Sequence, residues 1–147
     1  MKVIFDEMIS PKIPKAIEAL GIKDSWEYCS VRNLYQGIED ISWITDFSRN
    51  NGNVIISGDA NIHNKPHQLL ALHNAGLISF FMEGQWCSQQ LHTQAAHIIK
   101  WWPAIKNRAE KSEKGTSWTV PFRWTLSELE QKKIPEKLLS KAKNECS

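Results

Sequence analysis

The apolar run at residues 54–56, Val-Ile-Ile, restricts the possible fold more than any other stretch of the chain. Asn51-Gly52 before it indicates a turn, and three β-branched residues in a row are too short a run for a helix. A continuous apolar run of this length is typical of a strand buried on both faces, as in a parallel sheet. The strand leads to Asp59, and functional groups gather beyond the carboxyl ends of the strands in such sheets.

The first 85 residues alternate between strand and helix patterns. Short apolar runs predict strands at residues 2–5, 26–31, 54–56 and 77–82. Apolar residues at helical spacing predict helices that begin at Pro11, Glu39 and Pro66 and end before Gly21, Gly52 and Gly76. A polar loop is expected at residues 32–38. The resulting order β-α-β-α-β-α-β is typical of a parallel α/β sheet with right-handed crossovers.

The chain after residue 85 has a different pattern. An apolar stripe predicts a long helix from Ser88 to Ala109, which Pro103 either kinks or divides into two abutting helices. Residues 118–124 are β-prone and contain Pro121, which suits an edge strand or an extended arm. The Lys/Glu-rich tail that follows is expected to be either helical or disordered. We therefore predict one domain over residues 1–126, with a core at 1–85 and an added helix and arm at 86–126, followed by a charged tail at 127–147.

Composition limits the class of protein. A chain of 147 residues that is 41% hydrophobic and 23% charged is typical of one globular domain with a real core. No apolar run approaches the ~18 residues that a membrane span requires, and the N-terminus does not resemble a signal peptide. The cysteines are odd in number and widely spaced, which favours the reducing cytoplasm over a disulfide framework or a zinc knuckle.

The charge is unevenly distributed along the chain. Residues 1–100 carry 8 Lys/Arg and 10 Asp/Glu, a net charge of −2, whereas residues 101–147 carry 10 and 6, a net charge of +4. The basic C-terminal part could bind a polyanion such as a nucleic acid. A solvated Lys/Glu surface explains the same count equally well.

Acidic residues stand at three comparable places. They are Asp6-Glu7 after the first strand, Glu39-Asp40 at the start of the second helix, and Asp59 after the strand of residues 54–56. Adjacent parallel strands would make Asp6 and Asp59 neighbours, and a right-handed crossover would bring the second helix to the same edge. Crowded carboxylates raise one another's pKa, and a divalent cation relieves this. Mg²⁺ or Mn²⁺, which take oxygen ligands, would suit such a cluster.

Each acid taken alone also has a structural explanation. Asp after a strand and Asp or Glu in the first turn of a helix are common for capping and for the helix dipole. Capping does not require that the three places coincide at one edge of the sheet. The combination therefore favours a metal site.

At these residues the sequence resembles the PIN-like nucleases, in particular the compact branch related to VapC-type toxin ribonucleases. The resemblance covers roughly residues 2–124. It is carried by VIFDE at 3–7 with the following Ser-Pro, VRNL at 31–34, Asp40 three residues before Trp43-Ile44, IISGD at 55–59, NKPH at 64–67 and AGLISFF at 75–81. The segments at 98–103 and 120–121 are similar to this branch as well.

The resemblance implies a three-layer α/β/α sandwich with a mainly parallel sheet, here with a C-terminal helical or irregular extension. It also implies metal-dependent cleavage of RNA, often by toxins that a cognate antitoxin holds inactive. Matched residue by residue, it implies Asp6, Asp40 and Asp59 as ligands of Mg²⁺ or Mn²⁺, Glu7 and Glu39 as supporting acids, and Ser57 as a hydroxyl that orients the carboxylate of Asp59.

The chain departs from the family pattern at several positions around these acids. Met8 stands where related chains often have Asn, and Gly58 stands where they often have Arg. Ala60 and Asn61 replace the basic residues usual after the last acid, and Glu83 is the one candidate for a fourth acid. These departures bear on how firmly RNA would be held near the metal.

Other chemically active side chains have weaker patterns. His63 and His67 stand four residues apart without a third zinc ligand, so with Arg32 and Lys65 they are candidates for contacts with RNA. Cys87 has no neighbouring base that would favour nucleophilic catalysis. The tryptophans could stack on bases, but Trp43 and Trp102 are better core residues. A late aromatic group could form a homodimer or antitoxin surface; it comprises Trp101, Trp102, Trp118 and Trp124.

Three functions are compatible with these features. The first is an Mg²⁺- or Mn²⁺-dependent endoribonuclease, the toxin of a toxin–antitoxin pair, in which Asp6, Asp40 and Asp59 hold the metal and Glu7 or Glu39 orients water. The second is a catalytically weak PIN-like module that binds RNA or protein. The third, a phosphatase or response-regulator-like protein, is less favoured because the Lys and Thr partners it needs do not stand at comparable strand ends.

Overall fold

A mainly parallel sheet with helices on both faces forms the framework of the protein. A computed structural model describes residues 1–20, 24–136 and 139. Within this part of the chain the strands are β1 (Lys2–Phe5), β2 (Glu27–Ser30), β3 (Val54–Ser57), β4 (Ile78–Met82), β5 (Ser117–Val120) and β6 (Glu130–Lys132). The helices are α1 (Lys12–Ala19), α2 (Val31–Leu34), α3 (Asp40–Arg49), α4 (Pro66–Asn74) and α5 (Leu91–Lys111). The strand order is β2-β1-β3-β4-β5-β6, parallel throughout except for β5 and β6.

Alternating side chains divide the core into two layers, which confirms the predicted α/β/α architecture. On β1, Val3 and Phe5 pack into one hydrophobic cluster with α1 and α5, while Ile4 packs into the other with α2, α3 and α4. The strand β3 follows the same alternation, and all four of its residues are buried. Because successive strand side chains point to opposite faces, a strand between two helical layers is apolar along its whole length.

The register of β1 and β3 determines where the acids emerge. Phe5 lies opposite Ile56 in the parallel ladder, and the N–H of Asp6 continues the ladder by donating to the carbonyl oxygen of Ile56 at 2.9 Å. Phe5 also stacks on Trp102 of α5, with ring centroids 5.7 Å apart. The end of β1 is therefore held both by its neighbouring strand and by the longest helix.

The turn before β3 forms as the Asn-Gly sequence predicts. Asn51 has a φ of 66°, in the left-handed region, and Gly52 donates its N–H to the carbonyl oxygen of Phe47 at 2.9 Å. A Cβ atom on Gly52 would lie 2.5 Å from that oxygen, so this position requires glycine. This turn ends α3 and directs the chain into β3.

Two predictions about helices need correction. The segment 32–38 is not wholly a loop, because α2 occupies residues as far as Leu34. The long helix α5 runs unbroken through Pro103, so the alternative of two abutting helices is wrong. Its apolar stripe is buried as predicted at Ile98, Trp102 and Ala109, and the packing of this stripe on the sheet outweighs the hydrogen bond that proline removes.

The C-terminal part of the sheet differs more from the prediction. The strand β5 is not an edge strand, because β6 pairs with it in the antiparallel direction. This pairing also corrects the expectation that the segment after Ser127 is helical or disordered, at least for Glu130–Lys132. Leu129, buried beside these residues, joins the core and anchors the strand. Residues 137, 138 and 140–147 of the predicted tail lie outside the described part of the chain.

The four tryptophans of the late aromatic group do not all lie on the surface of the protein. Trp101 and Trp102 are each only 1% exposed and belong to the core, so the prediction that they form a dimer or antitoxin surface is wrong. Trp124 is exposed and packs against Trp101 with ring centroids 6.1 Å apart. None of the helices in the described residues is both long and apolar enough to cross a membrane.

Candidate active site

Asp6 lies buried at the carboxyl edge of the sheet, and no cation among residues 1–20, 24–136 and 139 forms an ion pair with it. Its Oδ1 accepts the N–H of Met8 at 3.0 Å and that of Gly58 at 3.4 Å, and its Oδ2 accepts the hydroxyl of Ser57. Burial raises the pKa of Asp6 from 3.8 to about 7, and the charge of Glu7 adds to the rise, while the three hydrogen bonds oppose it. The negative charge at Asp6 is therefore only partly compensated.

Ser57 connects the ends of the two central strands. Its hydroxyl donates to Asp6 and accepts the backbone N–H of Asp59 at 3.1 Å. The predicted role was to orient the carboxylate of Asp59. In the structure the hydroxyl orients the carboxylate of Asp6 instead, and it holds only the backbone of Asp59.

The carboxylate of Asp59 is engaged by residues that follow it in the chain. Its Oδ1 accepts the N–H of Asn61 at 2.9 Å, and its Oδ2 forms an ion pair with the Nζ of Lys65 at 2.7 Å. A short 3₁₀ turn at Ile62–Asn64 reverses the chain between the two partners. Asp59 is buried, whereas the side chain of Lys65 is 51% exposed, so this ion pair lies at the boundary with solvent.

The remaining acids lie around the same ammonium group. The hydrogen bond from Lys65 to Asp59 raises the pKa of Lys65, and the charges of Asp59, Asp40 and Glu7 raise it further. Asp40 opens α3 and accepts the indole N–H of Trp43 at 3.1 Å, while Glu39 precedes the helix and is exposed. The expectation that α3 begins at the same edge of the sheet is thus confirmed.

Two depressions in the surface connect these groups. A groove of ≈ 580 Å³ runs between the start of α3 and the start of α4, and Glu39, Asp40, Lys65 and His67 line it. A smaller crevice of ≈ 230 Å³ has Glu7 and Asp40 among its lining residues. Asp40 borders both depressions and is therefore accessible from solvent on two sides.

The 3₁₀ turn at Trp86–Ser88 packs against Gly58, which donates its N–H to Asp6. A Cβ atom on Gly58 would lie 3.0 Å from Cζ3 of Trp86, 3.2 Å from Cβ of Met8 and 3.3 Å from Sγ of Cys87. The thiol of Cys87 donates to the carbonyl oxygen of Gly58. Residue 58 has no room for the arginine that related chains often carry there, so the departures at Met8 and Gly58 belong to one packing arrangement.

Cys87 lies next to the acids, but its chemistry does not favour catalysis. Burial raises the pKa of the Cys87 thiol, and the negative charges of Asp6 and Asp59 raise it further. A neutral thiol is a poor nucleophile. The contact with Gly58 gives this cysteine a structural role.

Of the candidate RNA contacts, Lys65 and His67 line the groove, and Arg32 lines the smaller crevice. Arg32 is exposed on α2 and donates its Nε–H to the backbone carbonyl oxygen of Glu7 at 2.7 Å, so it holds the segment after β1 in place. His67 is exposed on the first turn of α4. The side chain of His63 lies outside the described part of the structure.

The donor chemistry at this edge fits a hard divalent cation. The available groups are carboxylate oxygens, which Mg²⁺ and Mn²⁺ prefer, and the raised pKa of Asp6 indicates a buried charge that a cation would stabilise. Among the described residues, however, no three His, Cys, Asp or Glu side chains stand close enough together to hold a metal ion. Glu7 is exposed and Asp40 is partly exposed with its Oδ1 bound to the indole of Trp43, so both side chains would have to reorient to complete a site.

The importance of Lys65 is what the sequence interpretation missed. Lys65 was a candidate for binding RNA, whereas the structure pairs it with Asp59. A local signal does exist, because Asp59 and Asn61 form an Asx turn and Pro66 begins α4, so the intervening turn has to bring Lys65 back towards Asp59. Cys87 and Trp86 left no such signal, since their contact with residue 58 spans almost thirty positions.

Comparison with known proteins gives one finding that bears on this site. A family model described as "PIN like domain" matches residues 1–84, which include β1, β3 and all five acids discussed above. Neither the curated proteins nor the solved structures compared with the chain give a match.

Proposed function

The chain belongs to the PIN-like domain family, which indicates a nuclease-type function, and from this membership we propose that it is a metal-dependent endoribonuclease. The observation that carries the proposal is the pair of buried carboxylates, Asp6 and Asp59, at the ends of adjacent parallel strands, joined through Ser57. Keeping two carboxylates buried side by side, of which Asp59 is paired with Lys65 and Asp6 has hydrogen bonds, carries an energetic cost, because burial disfavours the charged form. A function for the charge explains that cost.

The proposed roles follow from where each side chain lies. Asp6, Asp40 and Asp59 would hold Mg²⁺ or Mn²⁺, which when bound supplies charge neutralisation at a phosphodiester and an activated water. Glu7 and Glu39, both exposed at the same edge, would accept a proton from that water. Ser57 keeps the carboxylate of Asp6 in one orientation, so that its second oxygen does not rotate away.

The groove beside Asp40 would receive the RNA. It is open to solvent, it runs past Asp40, and Lys65 and His67 lie on its wall. Arg32 lies near the crevice that begins at Glu7, on the other side of Asp40. Cationic side chains on both sides of the acids would position the phosphate backbone without reading its sequence.

We further propose that the protein is the toxin of a toxin–antitoxin pair, with a cognate antitoxin protein as its partner. The support for this is the resemblance of residues 2–124 to VapC-type toxins. A short reading frame next to this gene, whose product co-purifies with the protein and suppresses cleavage, is the expected finding. A homodimer is the alternative partner, and light scattering of the purified protein tests for it.

The direct test of the nuclease is Asp59→Asn. We expect cleavage of RNA in Mn²⁺ to fall by about 100-fold or more, because neutralising one ligand removes several kcal/mol of transition-state stabilisation. Asp46→Asn is the matched control, since Asp46 is exposed further along α3 and should retain activity. Full activity in Asp59→Asn, with both variants folded by circular dichroism, would exclude the proposed site.

A second function, a catalytically weak PIN-like module that binds RNA or protein, is favoured by one observation. Lys65 already occupies the carboxylate of Asp59, and the described acids do not close around an ion. In that case RNA would bind with the same affinity with and without Mn²⁺, and no cleavage would follow. Calorimetric titration with Mn²⁺ distinguishes the two functions, because a pure binding module need not take up the ion here.

A further inference from the structure

The ion pair between Lys65 and Asp59 lies within the influence of two further acidic side chains. Its ammonium group lies 2.7 Å from Oδ2 of Asp59 and within the electrostatic influence of Asp40 and Glu7. These three acids come from three separate segments of the chain, after β1, at the start of α3 and after β3. The ammonium group of Lys65 thus lies against Asp59 and within the electrostatic influence of acids from the other two segments.

The ion pair joins two residues that are close together in the chain. Its partners are only six residues apart, so it crosses no boundary between distant elements. Asp59 is buried, but the side chain of Lys65 is about half exposed, so solvent screens the lysine end of the pair, and such a pair typically contributes about 1 kcal/mol or less to stability. The long, flexible lysine side chain can leave Asp59 without disturbing the strands or α4.

We propose that Lys65 is a built-in counterion of Asp59 that a divalent cation has to displace before it can bind. This rests on the metal site proposed above. The ammonium group and the ion compete for the same carboxylate oxygen, so the affinity for metal is lower than the acids alone would give. In the metal-free form, Lys65 supplies a compensating charge to Asp59.

The competition predicts a gain of metal affinity when the positive charge is removed. In calorimetric titrations of Mn²⁺ into the RNA-free protein, Lys65→Met should bind Mn²⁺ about tenfold more tightly than the wild type, since a nearby repulsive charge disappears. Lys65→Arg keeps the charge and should bind no more tightly than the wild type. Lys114→Met, an exposed lysine in the loop before β5, should change the affinity less than about twofold, because solvent and salt screen a distant charge.

A double variant tests whether the effect acts through Asp59. In Asp59→Asn the carboxylate that Lys65 occupies is gone, so adding Lys65→Met should give a much smaller increase than it gives in the wild-type background. An equal increase in both backgrounds would mean that Lys65 acts only through the general field of the protein, and would overturn the proposal.

The remaining outcomes separate this proposal from the proposed function. Equal Mn²⁺ affinity of the wild type and Lys65→Met would overturn the proposal that Lys65 competes with the cation, but it would not contradict the metal site. Binding of Mn²⁺ by Lys65→Met but not by the wild type would show that Lys65 prevents the ion from binding, and would support the proposal most strongly. Absence of binding in every variant would overturn both.

Discussion

The edge of the sheet that carries the acids has a covered side and an open side, and they compensate charge in different ways. On the covered side, the turn at Trp86–Ser88 packs against Gly58, which donates its N–H to Asp6, and within the described part of the chain Asp6 has hydrogen bonds but no ion-pair partner. On the open side, Asp59 has Lys65, whose side chain is half exposed. Compensation thus comes from hydrogen bonds on the covered side and from a half-exposed cation on the open side.

A third carboxylate shows what a structural ion pair looks like in the same molecule. Asp24 pairs with Lys106 of α5 at 2.7 Å, the same distance as in the pair of Asp59 and Lys65. Both side chains are largely buried, at 16% and 18% exposure, and the partners are 82 positions apart in the chain. Distance alone therefore does not distinguish a pair that holds the fold from one that is free to exchange its partner.

The largest expected effect concerns the covered side and is a dependence of stability on pH. Burial raises the pKa of Asp6 from 3.8 to about 7. Between these two values the folded protein keeps a proton that the unfolded chain has released, so stability falls as the pH rises through this window and levels off above it. A shift of roughly three units corresponds to about 4 kcal/mol.

The variant Asp6→Asn tests whether Asp6 causes this dependence of stability on pH. Asparagine keeps the shape and can still accept the N–H groups of Met8 and Gly58 but carries no charge. Urea unfolding of the metal-free protein at pH 5 and pH 8 should show a smaller pH dependence of stability in Asp6→Asn than in the wild type. At pH 8 the variant should have the higher free energy of unfolding. An unchanged pH dependence would place its origin in another group.

The next largest effect is expected at the structural ion pair. Lys106→Met should lower the free energy of unfolding by about 2 kcal/mol, because it leaves Asp24 largely buried without its cation. The hydrogen bonds that Asp24 accepts from Trp26 and Tyr28 remain and limit the loss. Thermal and urea unfolding at neutral pH measure this loss. A loss as small as that of an exposed ion pair would mean that the pair of Asp24 and Lys106 does not hold the fold.

A smaller effect is expected from a single methyl group on the covered side. Gly58→Ala should lower the free energy of unfolding by about 1 kcal/mol, because the new Cβ would press on Trp86, which is itself packed in the core. Ala60→Ser, two residues further on and exposed, serves as the control and should be neutral within ~0.5 kcal/mol. A neutral Gly58→Ala would show that the turn at residues 86–88 yields easily.

The smallest effect on stability is expected on the open side. Lys65→Met should change the free energy of unfolding by less than about 1 kcal/mol, in contrast to Lys106→Met, since the lysine is half exposed and its pair is local. The two variants, measured side by side by urea unfolding, test the comparison directly. A loss for Lys65→Met as large as that for Lys106→Met would make Lys65 a structural residue.

The parallel sheet and the places of the acids were predictable from the sequence because they depend on local pattern. The apolar run at 54–56 and the Asn-Gly turn before it are visible within a few residues, and helical spacing identifies α1, α3, α4 and α5. Once the strands are parallel and adjacent, Asp6 and Asp59 have to emerge at the same edge. The strand β6 was missed because three polar residues carry no pattern of their own and form a strand only through pairing with β5.

The sequence by itself determined the framework and which acids meet at its edge, since periodicity and strand ends are local properties. Only the tertiary structure decided how these acids are compensated. The turn at residues 86–88 reaches Gly58 across 28 positions, Ser57 turns its hydroxyl to Asp6 rather than Asp59, and Lys65 folds back onto Asp59. Charge compensation depends on distances of a few ångströms between groups far apart in the chain, and these distances exist only in the packed molecule.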